Sequence, residues 1–136
     1  MSAQDVAPQM TMLRMLNGFH VTQMLVVAAR LGVADLLAAG PQSAEELAGA
    51  IGAHPDALYR LLRALVNMGI FEALPERRFA LTPLGATLRA DHPDGMRAFA
   101  MFLGNEVYRA WGDLHYSITT GRPAFDHVFG AHHFDY

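Results

Sequence analysis

Residues 43–88 carry punctuation that few folds can satisfy. Ser43 and Glu46 stand at the Ser-x-x-Glu spacing of a capping box, and Gly52 closes the short helix they open. His54-Pro55 starts a second helix, with proline where no amide hydrogen is missed. Leu58, Leu61, Leu62, Leu65 and Met68 form its apolar stripe at helical spacing. Gly69 ends it. Residues 70–73 and 78–81 then read as two strands around "LPERR", and Thr82-Pro83 opens another helix toward Arg89. Helix, turn, helix and hairpin in this order predict a winged helix-turn-helix.

Upstream, residues 8–29 read as a helix bent near "NGF" at 17–19, because glycine weakens a helix interior. Its apolar side chains, among them Met12, Leu16, Met24, Leu25 and Val26, leave hardly any polar face. Such a helix is central to a large core or wrapped between two subunits. A chain of 136 residues has one domain's worth of core, so the second arrangement is expected. The hydrophobic share of 52%, with eight Met, fits a surplus that goes into a partner. Gly32 is a break and Gly40-Pro41 a stop. Residues 96–103 and 105–120 read as one or two further helices, "TGRPAF" as a turn, and the end as aromatic and His-rich. The fold class is therefore mainly α, a winged helix-turn-helix with a small hairpin and extra helices at both ends, paired as an intertwined dimer.

A winged helix invites a test for DNA reading. Tyr59, Arg60, Arg63 and Asn67 are the outward donors of the second helix, and Arg77 and Arg78 stand at the wing tip beside Glu72 and Glu76. A formal charge of −3 is a poor start for binding phosphates, so these arginines are expected to solvate a surface and pair with acids. His127, His132 and His133, with Asp126 and Asp135, lack a spacing that would make them converge as zinc ligands. No Gly-x-Gly pair and no Gly-x-Ser-x-Gly elbow occurs, so neither a nucleotide-binding turn nor a catalytic residue is expected within this segment. Cysteine is absent, and the N-terminus lacks the pattern of a secretory signal. The charge-free stretch between Arg14 and Arg30 is interrupted by polar residues and shorter than a membrane span. A soluble, cytoplasmic protein without nucleic-acid or membrane partners is the expectation.

The run from "GFHVTQMLVVAARLGVADLL" through "FALTPLGATL" resembles the N-terminal dimerisation domain of the S-adenosylmethionine-dependent O-methyltransferases, of the bacterial polyketide and carotenoid and the plant phenolic type. "WGDLHYSITTGRPAFDHVFGAHHFDY" is similar to the family's segment leading into its Rossmann-like catalytic domain. The resemblance covers nearly the whole chain. It implies that the winged helix serves as a dimer scaffold and that the parent enzyme methylates a hydroxyl of an aromatic or polyketide-like small molecule. It implies residues 1–120 as the dimerisation domain and 121–136 as the start of a linker, with the cofactor loop and general-base histidine beyond the chain's end. S-adenosylmethionine would then belong to the full-length enzyme, with no cofactor, metal or activity in this segment. By position, Met101, Phe102, Val107 and Trp111 would face substrate. Asn17, Phe19 and His20 would reach the other subunit's pocket, and Met12, Leu16, Met24, Leu25 and Val26 would form the homodimer interface. A free-standing winged-helix regulator that senses a ligand is the competing expectation.

Overall fold

The computed structural model describes residues 3–130. Helix α1 (Ala3–Leu16) and α2 (Phe19–Leu31) are separated by a turn, where Gly18 N–H donates to Met15 O and His20 N–H to Asn17 O. The expected bend at "NGF" is thus an interruption of the helix. α1 also begins well before Pro8, which lies inside it and leaves one amide position of the ladder without a donor. Gly32, at φ 73°, caps α2 and turns the chain into α3 (Val33–Leu37).

The centre follows the capping signals. Ser43 Oγ accepts the Glu46 N–H to start α4 (Ala44–Ile51), and His54 Nδ1 accepts the Ala57 N–H to start α5 (Pro55–Asn67). Strands β2 (Phe71–Leu74) and β3 (Arg78–Leu81) form the wing. A two-residue strand β1 (Gln42–Ser43), not foreseen, adds to the free edge of β3 and makes the sheet order β1-β3-β2, all antiparallel. It is too short to carry a period of its own, so only the sheet reveals it. Thr82 ties the wing to α6 (Pro83–Ala86): its hydroxyl proton is shared between Gly69 O and Ile70 O, and its oxygen accepts the Gly85 N–H.

Val33, Ala44, Leu47, Leu62, Leu65, Phe71 and Phe79 lie at the middle of the core. The stripe on α5 is confirmed, with Leu58, Leu62 and Leu65 buried and Leu61 and Met68 packed partly against them. Beyond α6, α7 (Arg97–Phe102), a π-helical stretch (Leu103–Val107) and α8 (Tyr108–Trp111) follow one another without a gap. Of the one or two helices the sequence allowed here, the chain runs on through Gly104 and stops at Gly112-Asp113 before α9 (Leu114–Thr120). Gly104 stays helical because it abuts Val26 of α2. Gly121 caps α9 at φ 71°, and α10 (Ala124–Phe129) folds back on α8 and α9.

Candidate functional site: an apolar groove and an uncovered helix face

A groove of about 340 Å³ opens beside the C-terminal helices. The π stretch and its flanks supply Phe102, Val107, Ala110 and Trp111; α9 supplies Leu114 and Ser117. Pro123, Ala124 and Phe125 close it from the other side. The α10 wall is held by several contacts. Phe125 is buried and packs on Phe129 at 4.6 Å between ring centroids. His127 Nδ1 lies 2.6 Å from Asp113 Oδ2, and its ring stacks on Tyr116 at 3.9 Å. Arg109 Cζ sits 4.9 Å from the Phe129 ring centre.

The structure thus brings Phe102, Val107 and Trp111 to one groove, three of the four residues expected to face substrate. Met101 is elsewhere, packed partly against the main core. The α10 wall was missed, although the turn at Gly121 was the signal that could have returned Phe125 to the groove. Ala110, Leu114 and Ser117 follow from Val107 at helical spacing and were legible in principle. Among the described residues, Ser117 is the only side chain in the lining with a hydrogen-bonding group besides the Trp111 indole. A flat apolar ring with one polar substituent fits such walls. A nucleoside cofactor does not, since its ribose diol and amino-acid end require a carboxylate and several amide donors.

The second feature is the face of α1 and α2. Met10, Met12, Leu13, Met15, Leu16, Phe19 and Val21 are all exposed, Met15 at 71% and Leu16 at 66%. Phe19 meets His20 edge-on at 4.2 Å beside half-buried Asn17, so the three residues expected near a partner's pocket cluster at the α1–α2 turn. Met24 and Leu25 are half-buried against the core. Val26 needs correction: it is 3% exposed and locked between α2 and the π stretch, so it is an interior residue and not part of a free interface.

The wing tip is committed elsewhere. Arg77 Nε lies 2.7 Å from Glu45 Oε1, its Nη2 3.4 Å from Asp56 Oδ1, and its guanidinium 3.9 Å above the Tyr59 ring. Arg78 Nη2 reaches Pro41 O. With Arg77 paired to two acids, the hairpin presents little positive charge to a phosphate backbone. Arg60, Arg63 and Asn67 remain exposed on α5. Among the described residues, no helix is long and apolar enough to cross a membrane. His132, His133 and Asp135, considered above as metal ligands, lie outside the described residues.

A winged helix with an uncovered apolar helix pair has the geometry of a pairing module. The family model of the O-methyltransferase dimerisation domain matches residues 13–91, more than half of the chain. The chain belongs to that family. It is similar to phenazine O-methyltransferase PhzM of Lysobacter antibioticus, 45% identical over 125 residues that make up 92% of this chain and 37% of that protein. The crystal structure of LaPhzM superposes with a TM-score of 0.90 at 44% identity, covering 94% of this chain and 39% of that one. NcsB1, an O-methyltransferase from neocarzinostatin biosynthesis, was solved with S-adenosyl-L-homocysteine and 1,4-dihydroxy-2-naphthoic acid. It superposes with a TM-score of 0.73 at 38% identity, covering 85% of this chain and 36% of that one. The chain thus spans less than two fifths of each.

Proposed function

We propose that this chain pairs two subunits of an S-adenosylmethionine-dependent O-methyltransferase and forms one wall of its acceptor site. The observation that carries the pairing is the α1–α2 face, where seven large apolar side chains stand in water and none belongs to the core cluster of the described residues. A patch of this kind marks an interface. The interlock of these helices with those of a second copy makes a homodimer, and places Asn17, Phe19 and His20 near the partner's acceptor site.

In the whole enzyme the cofactor supplies an electrophilic methyl group on a sulfonium. This chain's residues bind and orient the acceptor: Phe102, Val107 and Trp111 hold an aromatic ring and exclude water from it, and the Ser117 hydroxyl is the polar group within reach of a ring substituent. The acceptor is a hydroxylated aromatic or polyketide-like small molecule. Cofactor binding and removal of the hydroxyl proton are assigned to a separate Rossmann-like domain, so the chain by itself transfers no methyl group. The reading goes with a cytoplasmic protein, which the absence of cysteine suits.

Light scattering tests the pairing. The expected mass is twice 14.9 kDa at micromolar concentration. A monomer that melts cooperatively would overturn the proposal, because the α1–α2 face would then be satisfied within one chain.

A further inference from the structure

A second cleft, of about 290 Å³, lies between the loop after α6 and the start of α7. It shares no lining residue with the apolar groove, and its chemistry is different. Among the described residues, Arg89, His92 and Arg97 are the only charged or titratable side chains in its lining; the remainder is Ala90, Pro93, Gly95 and Ala98. The carboxylates nearby are turned to other work. Asp91 Oδ2 takes Arg89 Nη2 at 2.9 Å, Asp35 Oδ1 accepts the Ala90 N–H at 3.0 Å, and Asp94 does not line the cleft.

The three donors are held by the fold. Arg97 Nε donates to Ala29 O at the end of α2, 2.8 Å away, and no hydrogen bond among the described residues uses its two terminal nitrogens. His92 Nδ1 accepts the Asp94 N–H at 3.0 Å, so the neutral ring carries its proton on Nε2 and donates from there. Arg89 Nε is buried and has no hydrogen-bond partner among the described residues. Buried donors of this kind are normally satisfied. A set of donors oriented before a ligand arrives asks little ordering entropy of it, and guanidinium forks match oxygen pairs of planar or tetrahedral anions. We propose that this cleft is an oxyanion site that takes a carboxylate or a phosphate between Arg89, His92 and Arg97. The site is independent of the methyl-acceptor groove.

Nitrogen-edited NMR of the whole chain tests it, with inorganic phosphate, acetate and chloride titrated at matched ionic strength. The amides of Ala90, Gly95 and Ala98 and the Nε–H signals of Arg89 and Arg97 are expected to shift saturably, with a millimolar dissociation constant. A response to phosphate alone identifies a phosphate site, one to acetate alone a carboxylate site, and one to both the shared chemistry. No response, or an equal response to chloride, overturns the proposal. His92→Asp supplies a second reading. Aspartate at this place accepts the Asp94 N–H as an Asx turn, so the loop is kept, while its charge faces the anion. Binding is expected to weaken at least about tenfold. Unchanged binding by this variant, with a native-like spectrum, would also overturn the proposal.

Discussion

Gly104 has no room for a methyl group. A Cβ there would lie 2.1 Å from Val26 Cγ2 and 2.7 Å from Val26 Cβ, and Val26 is a stiff, buried side chain that cannot swing away. Alanine ordinarily improves a helix over glycine by about 1 kcal/mol. Here the forced separation of α2 from the π stretch wins, and Gly104→Ala is expected to cost about 1–2 kcal/mol net in a denaturant melt. A variant as stable as the parent would show that the two helices do not touch there. Val26 and Leu16 make a matched pair for separating fold from pairing. Val26→Asp puts a carboxylate into the interior, which costs several kcal/mol and unfolds the domain. Leu16→Asp places the same charge on the exposed face, so the expected result is a folded monomer by circular dichroism and light scattering. If both variants unfold, pairing and folding are one event and the exposed face cannot exist in a free subunit.

Among the elements, α4 and α5 were the most legible, because caps, glycine stops and a leucine stripe all agree there. The hairpin's second strand falls where expected, and its first is displaced by one residue: Ile70 is buried in the approach to β2, while Leu74 pairs with Arg78. Least legible was the run from α7 to α9. The sequence leaves one helix or two open around Gly104, and its contact with Val26 goes with an unbroken helix with an inserted π turn. That turn bears Val107 at the groove, and π turns commonly mark functional sites. Trp111 is the chain's sole tryptophan, 65% exposed at the groove rim, so its fluorescence reports on this element alone. Titration with a nitrophenol is expected to quench it saturably, and Val107→Arg to weaken the effect at least about tenfold by filling the groove and placing a charge in it. Quenching that rises linearly with probe, alike in both proteins, would remove the groove from the acceptor site.

At the scale of the molecule, the question is where the pairing domain ends. The expectation from sequence was a boundary at 120, with a linker from 121. Yet Phe125 is buried, and α10 is joined to the body by the Asp113–His127 contact and the Tyr116 stack. Trimming after Gly121 is therefore expected to destabilise the domain by about 3–5 kcal/mol, the scale of losing one large buried aromatic, and to lower its melting temperature visibly. A trimmed chain as stable as the whole would support the boundary at 120. The sequence by itself determined the local matters: the helix caps, the winged order, the core stripe of α5, and an N-terminal apolar surplus too large for one chain. These are readable because capping, proline placement and helical periodicity act over a few residues. The tertiary structure decided which apolar residues are spare. Val26 and Leu16 look alike in a hydrophobic run, and only the arrival of Gly104, far along the chain, buries one and leaves the other in water. It decided also that Arg89, His92 and Arg97 share a cleft while Asp91 and Asp94 do not line it. Side-chain direction in an irregular loop depends on what the folded chain packs against it, and no spacing rule encodes that.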